Sequence, residues 1–475
     1  MRASTTLAVA ATVLGANAVT LRERTDGSAP RVVQHDIQRR QVNNIIQRDQ
    51  ARLRRRQSDT VTVQLANEET LYFMNVTIGT PAQDLRLHID TGSSDLWVNV
   101  ADSTECEAQG DLCVASGTYA PNSSSTYEYL NSLFNITYVD GTGSTGDYVW
   151  DVVKFGGVTL ENQQFGIGYT STSQEGVLGI GYPINEVAVE YNGGHTYANV
   201  PAKMVEDGLI GSNAYSLWLN DLDSSTGSIL FGGVNTDKFS GELQTIPIIA
   251  EDGIYAEFII ALTAVGMNGT SGSIASNLAY ASLLDSGTSL MYLPNDITQD
   301  IYDAFGAQYD SSQGAAFVDC SLADSDATID LTFSSPTISI AMRELIIVAG
   351  EQNGQDICIL GISPADDSTP VLGDTFLRSA YVVYDITNNE VALAQTSFNG
   401  TTDNIVEITN STAIPSATAV TNAVTSVAVA TGGARNIDSP TGVTSTASAY
   451  AMPTAAVGLN AALLGVAGAG LAFAL

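Results

Sequence analysis

The sequence predicts a mostly-β body made of two similar halves, and three observations predict it. Residues 57–398 are rich in Gly, Thr, Ser, Val, Ile and Tyr, with short apolar or alternating runs recurring along the chain, the texture of short strands separated by turns. Two stretches then read almost alike, Leu87-His88-Ile89-Asp90-Thr91-Gly92-Ser93-Ser94 and Ser282-Leu283-Leu284-Asp285-Ser286-Gly287-Thr288-Ser289. Each places one carboxylate after an apolar run, on a tight turn with a glycine and flanking hydroxyls. The echo continues downstream: Val177-Leu178-Gly179 sets its glycine 89 positions after Asp90, and Val371-Leu372-Gly373 sets its glycine 88 positions after Asp285.

In chain order, residues 1–18 carry Arg2, an apolar run from Leu7 to Leu14 and the small-residue site Ala16-Asn17-Ala18. That pattern is a secretory signal, too short to span a membrane. Residues 19–56 are polar and basic and end Leu53-Arg54-Arg55-Arg56. They read as a removable pro-segment cut after Arg56, with Arg39-Arg40 a weaker cut site and a disordered arm without a role in latency the alternative. Of the 18 Lys and Arg residues 11 lie in 1–56, against four of the 51 acids, so removing that stretch takes the net charge from −33 to −40 (7 − 47). A basic leader on an acidic body is held partly by charge.

The body divides near Phe239–Thr245 into 57–240 and 241–398, each half holding one Asp turn and one Val-Leu-Gly. Expected strands include Thr60–Leu65, Phe134–Tyr138, Ser228–Phe231 and Tyr381–Tyr384. Expected helices are few: Ala198–Asp207, opened by Pro201 and stopped by Gly208, Pro294–Phe305, and a turn near Thr375–Arg378. Residues 399–453 are Ser, Thr, Ala and Val with little else, a composition that reads as a glycosylated stalk without a core. Residues 454–475 form an uncharged apolar tail followed by no Lys or Arg. Small residues, a polar spacer and such a tail make the pattern of a GPI-attachment signal, with Ser445 the candidate attachment residue. A tail-anchored transmembrane helix is the alternative. The expected location is therefore the secretory pathway and then the extracellular face of the plasma membrane or the cell wall.

So acidic a body excludes nucleic acid as a partner, because nothing would neutralise phosphates; it suits an acid environment and basic peptides. Four cysteines in a secreted chain imply two disulfides with three possible connectivities. Local pairing, Cys106 with Cys113 and Cys320 with Cys358, is the simplest. The spacing fits no zinc site, and with His35, His88 and His195 the only histidines no metal or cofactor is expected. Sequons at Asn75, Asn122, Asn135, Asn268, Asn399 and Asn410 are glycosylation candidates.

A fold of two similar halves could bring Asp90 and Asp285 together across a pseudo-two-fold axis. Two carboxylates held that close cannot both ionise near neutral pH, so one serves as acid and the other as base, which is chemistry for activating water. Gly141-Thr142-Gly143-Ser144-Thr145-Gly146 also satisfies G-x-G-x-x-G, but a dinucleotide site needs a helix after it, and Asp147–Val153 reads as a strand. His88, two before Asp90, reads as a satisfied core or rim histidine rather than a base. The serine-hydrolase elbow and H-E-x-x-H are both missing from the sequence.

Asp90-Thr91-Gly92-Ser93, Asp285-Ser286-Gly287-Thr288, the paired Val-Leu-Gly segments, Trp97 and Ile136-Thr137-Tyr138-Val139-Asp140-Gly141-Thr142-Gly143 resemble the pepsin-like aspartic proteases across residues 60–398. The processing signals and Ser/Thr-rich tail resemble that family's fungal GPI-anchored, yapsin-like branch. The resemblance implies a bilobal β fold with a cleft between lobes, and Asp90 and Asp285 as the catalytic dyad. Thr91 and Ser286 would tie the two turns together, Ser93 and Thr288 would hydrogen-bond the outer carboxylate oxygens, and Gly92 and Gly287 would allow close backbone approach. Ser286 stands where many members have Thr. Residues 136–143 match the flap, a hairpin closing over bound peptide, with Tyr138 its tyrosine, Trp97 the indole donor to it, and Asp140 and Gly141 at the tip. Val139 departs from the Gly usual there. Implied overall is a monomeric endopeptidase of class EC 3.4.23, made as a zymogen, active in acid on protein or peptide substrates and favouring basic residues, with a general acid protease of apolar preference the alternative specificity. A catalytically inactive pepsin-like wall protein is the alternative, disfavoured because both carboxylates and all four hydroxyls are present.

Overall fold

The computed structural model describes residues 19–21, 30–40, 71–108, 112–138, 142–191, 195–224, 226–352, 354–366, 368–409 and 413–427. The expected signal sequence 1–18, the expected cut site at Arg56, the strand expected at Thr60–Leu65, the expected flap-tip residues Asp140 and Gly141, and Asn410, Ser445 and the tail 454–475 lie outside the described residues.

Strands dominate, and each half repeats one motif. In the first half the strand Gln83–Asp90 lies parallel to Gly176–Gly179, pairing Leu87 with Gly176 and Asp90 with Gly179. Gly176–Gly179 runs antiparallel to Leu96–Asn99, which lies parallel to Val158–Ser171. The second half repeats this order. Tyr280–Leu284 lies parallel to Val371–Leu372, which runs antiparallel to Met291–Leu293, which lies parallel to Ile362–Pro364. Each Asp-bearing strand is paired on both edges, to its parallel neighbour and to an antiparallel one, Leu71–Ile78 in the first half and Ile259–Leu262 in the second, and such central strands read as near-continuous apolar runs towards the Asp. The Val-Leu-Gly glycines now have a cause. A Cβ on Gly179 would lie 2.6 Å from Ser94 N, and one on Gly373 would lie 2.3 Å from Leu290 O and 2.4 Å from Thr288 O. Each glycine lets its strand close against the chain just past the Asp turn.

Between the halves runs a shared sheet in the order Phe239–Pro247, Glu390–Thr396, Ala380–Asp385, Ala214–Trp218, Thr226–Phe231, Val33–Arg40, Leu71–Ile78. The expected seam at Phe239–Thr245 lies in a strand of this sheet, paired with Glu390–Thr396. The segments before and after the body also join sheets. The leader, read as held to the surface, places Val33–Arg40 inside the sheet, pairing Gln38 with Thr226 on one side and Ile37 with Met74 on the other. Val33 and Ile37 are buried; hydrophobic burial and two ladders hold this strand as well as charge, and Arg39-Arg40 is not a free loop. Residues from Asn399, expected as stalk, begin as packed chain. Asp403–Glu407 pairs with Val19–Leu21 and Gly233–Asn235, and Ala417–Ala419 pairs with Phe239–Pro247. Ile405, Ile408 and Ile414, among the few large apolar residues there, are buried, and Arg31 donates to Glu407 at 3.4 Å.

The expected helices form at Val200–Glu206, Asn295–Phe305 and Asp374–Leu377. The Asn199 side chain caps the first by accepting from Ala202 N. Gly306, at φ 67°, ends the second in a left-handed cap. Both disulfides pair as expected, Cys106 with Cys113 and Cys320 with Cys358.

Candidate active site

Asp90 and Asp285 close the paired strands and turn into their Thr-Gly and Ser-Gly steps, both nearly buried at 2% and 7% exposure. Four hydrogen bonds lace one turn to the other. Thr91 Oγ1 donates to Leu284 O at 2.9 Å and accepts from Ser286 N at 2.9 Å. Ser286 Oγ donates to Ile89 O at 2.9 Å and accepts from Thr91 N at 3.2 Å. Each hydroxyl reaches the residue before the opposite aspartate, so the two halves are fixed to one another at their Asp turns. Such bonds contribute about 1 kcal/mol each net, while orphaning a buried partner costs about 1–3 kcal/mol.

The carboxylates are held in matching ways. Asp90 Oδ1 accepts from Gly92 N at 2.9 Å and its Oδ2 from Ser93 Oγ at 2.6 Å. Asp285 Oδ1 accepts from Gly287 N at 2.7 Å and its Oδ2 from Thr288 Oγ1 at 2.6 Å. The Asp285 carboxylate lies over the first turn: a Cβ on Gly92 would sit 2.6 Å from Asp285 Oδ1. Two carboxylates so placed, each with an oxygen bound by a hydroxyl and an oxygen bound by a backbone N–H, can hold a water between them and exchange protons with it.

His88 is buried, its ring tilted on Phe73 and its Nε2 3.3 Å from Ser286 O. A carbonyl only accepts, so that bond needs the proton on Nε2, and the ring serves structure. The hairpin expected to form the flap is the pair Glu128–Thr137 and Gly143–Phe155, with Tyr138 N donating to Thr142 O at 2.8 Å. Trp97 Nε1 donates to Tyr138 OH at 2.6 Å, as expected of that pair. Gly143 and Gly146 lie within the second flap strand, and no helix follows them. The dinucleotide fingerprint is therefore a sequence coincidence.

The sequence reading missed a second carboxylate near the site. Asp95 Oδ1 accepts from Tyr148 OH at 2.7 Å and Tyr197 OH at 2.9 Å, and its Oδ2 accepts from Val187 N at 2.8 Å. Burial raises its pKa, against the pull of those three donors. Next to it Glu186 is pushed up to about 9 by burial and by the Asp95 charge, opposed by its bond from Tyr197 N. The available signal was an acid set against the apolar run Leu96–Val100, where a lone charge must find partners.

Comparisons with known proteins agree with this geometry. The profile of the family described as eukaryotic aspartyl protease matches residues 71–396. The chain is 56% identical over 436 residues to a probable aspartic-type endopeptidase, opsB, of Aspergillus oryzae, covering 90% of this chain and 88% of that one. It is 39% identical over 360 residues to candidapepsin-3 of Candida albicans, covering 74% and 85%. Among solved structures, an aspartic proteinase from Irpex lacteus superposes with a TM-score of 0.58 at 22% identity, covering 78% of this chain and all of that one.

Proposed function

The chain belongs to the eukaryotic aspartyl protease family and is an aspartic-type endopeptidase, and from that premise we propose that Asp90 and Asp285 are its catalytic pair. The observation that carries this is the reciprocal lacing of the two turns through Thr91 and Ser286, with the Asp285 carboxylate lying over Gly92. Water between the carboxylates gives a proton to the ionised one, and its oxygen adds to the scissile carbonyl carbon. The protonated partner hydrogen-bonds the developing oxyanion, and a proton then passes to the leaving nitrogen as the C–N bond breaks. Activity belongs to acid and fails once the shared proton is lost. Acid-pH digestion of a peptide mixture with product mapping tests this. Asp90→Asn and Asp285→Asn each lose at least about a hundredfold, and a variant cleaving at the wild-type rate refutes the assignment.

The same reading extends to a zymogen, cut after Arg56, whose leader strand is built into the shared sheet. It extends also to a monomer in the yapsin-like, GPI-anchored branch, displayed outside the cell with Ser445 carrying the anchor. Support for the anchor is the polar stretch before the apolar end of the chain; release from cells by phosphatidylinositol-specific phospholipase C tests it. Exposed Asn75, Asn122, Asn135 and Asn268 remain glycan acceptors, whereas the Asn399 amide is engaged with Asp221. A body with 47 acids against seven bases favours cleavage at basic residues. Equal rates on Lys/Arg and Leu/Phe peptides would remove that preference.

A further inference from the structure

The buried carboxylate of Asp95 has no part in the chemistry above, yet it stands between the catalytic turn and the flap. Asp95 and Trp97 are alternate residues on the extended run leaving the Asp90 turn, a spacing that puts both side chains on one face. Each bonds a tyrosine of the flap hairpin: Trp97 donates to Tyr138 at the end of the first flap strand, and Tyr148 on the return strand donates to Asp95. Phe134, from the first flap strand, fills the space between the rungs, 6.2 Å from the Trp97 ring and 5.3 Å from the Tyr148 ring. A second arm runs from Asp95 to Val187 N and Tyr197 OH, whose ring meets Tyr148 edge-on at 5.9 Å. The carboxylate thus gathers three donors from two segments that flank the flap base, and Tyr148 and Asp95 are both nearly inaccessible to water.

We propose that Asp95 is a positioning residue for peptide hydrolysis: through Tyr148 it fixes the base of the flap relative to the Asp90 turn, as Trp97 fixes the other end through Tyr138. This rests on the peptidase reading of the site. A hydrogen bond to a carboxyl group in a dry site is costly to leave unmade. Losing it lets the hairpin tilt and weakens its hold on substrate, without touching the two catalytic carboxylates.

The test compares Asp95→Asn, Tyr148→Phe and Tyr197→Phe in the full chain, with active sites counted by titration with a statine-type transition-state mimic. Asp95→Asn and Tyr148→Phe are expected to raise KM for a peptide about tenfold with kcat within twofold. The double variant should be no worse than either single one, and Tyr197→Phe should leave KM within threefold, because the Tyr148 rung survives. Amide exchange over residues 128–155 gives a readout independent of turnover, and should rise at least threefold in Asp95→Asn and Tyr148→Phe. Unchanged KM with unchanged exchange in both variants overturns the brace, as does a loss confined to kcat. If Asp95→Asn does not fold, Tyr148→Phe decides alone. A wild-type protein that cleaves nothing would defeat the peptidase reading, and the exchange data would still decide whether Asp95 fixes the hairpin.

Discussion

The two halves share a frame and differ in what is attached to it. In both, an Asp-bearing strand lies parallel to a Val-Leu-Gly strand whose glycine closes onto the chain past the turn. In both, a hydroxyl reaches across to the opposite half. The first half adds the flap hairpin, the Trp97 donor and a short disulfide loop of separation 7; the second adds the Asn295–Phe305 helix and a loop of separation 38. The duplicated parts are those that place a carboxylate, and the parts found in one half only lie outside that frame. A reaction needing two like groups face to face selects a symmetric frame; binding a directional chain does not.

The largest way to break this comparison is through the disulfides. Constraining the unfolded chain stabilises in proportion to the logarithm of loop length, about 4 kcal/mol for the longer loop and about 2.4 kcal/mol for the shorter. Replacing Cys320 and Cys358 by Ala should therefore lower the urea midpoint clearly more than replacing Cys106 and Cys113. The reverse order would show that the first half depends on its staple more than loop closure explains.

Next in size is pH. Each half holds a carboxyl pair away from open solvent, buried Asp95 with buried Glu186 and buried Asp385 with half-buried Glu390. Burial pushes Glu186 up to about 9; burial and then the Asp385 charge push Glu390 up to about 7. A carboxyl that binds its proton more tightly when folded stabilises fully below its unfolded pKa, and that stability is lost as pH rises to the folded value. Both groups thus stabilise in acid, and both contributions fall from about pH 4.5 upward, ending near 7 for Glu390 and near 9 for Glu186. Unfolding of Glu390→Gln should flatten the decline only below about pH 7, and of Glu186→Gln up to about pH 9. Midpoints that rise with pH in the wild type would contradict both. The carboxyls make the folded state firmest in acid.

Much of this was legible because the frame is written as local pattern. An apolar run ending in Asp-Thr-Gly or Asp-Ser-Gly needs only a buried strand and a tight turn, and repeating it announces the two-fold relation. The leader strand was illegible for the opposite reason. Val33–Arg40 reads as polar and basic because it buries little beyond Val33 and Ile37, and its place depends on ladders with strands about 40 and 190 residues away in the chain. The packed segment after Asn399 failed similarly: Ile405, Ile408 and Ile414 are spaced too sparsely to signal a core in a Thr-rich stretch. Asp95 was passed over because its meaning comes from Tyr148 and Tyr197, which lie 53 and 102 residues on.

A smaller effect on stability but a large one on rate is expected of Gly92→Ala. The added methyl meets the Asp285 carboxylate, not backbone, at 2.6 Å. The fold can yield by turning that side chain, and the carboxylate then leaves its bonds to Gly287 N and Thr288 Oγ1. A displacement of about 1 Å at a reacting group costs about a hundredfold in rate, so kcat should fall by about that factor with KM little changed. A rate within threefold of wild type would mean that the Asp285 carboxylate tolerates displacement, and that the close approach at Gly92 serves packing alone.

The smallest expected effect tests how nearly the two turns are equivalent. Thr91 and Ser286 make the same two kinds of bond, donating at 2.9 Å each and accepting at 2.9 and 3.2 Å, and differ by a methyl group. Ser286→Thr restores the missing methyl at a fully buried position. If the turns are related by symmetry down to their packing, the space beside Ser286 matches the space that already holds the Thr91 methyl, and the substitution changes stability by less than about 1 kcal/mol and rate by less than about threefold. If the second half has closed over the space the methyl would take, overpacking costs about 1–3 kcal/mol and pulls the hydroxyl off Ile89 O, which loosens both turns because each hydroxyl also accepts from the opposite backbone. Calorimetry and kinetics on this one variant, set beside Thr91→Ser, therefore separate symmetry of hydrogen bonding from symmetry of packing. Near-neutral effects in both directions place the asymmetry of the molecule wholly outside the two turns.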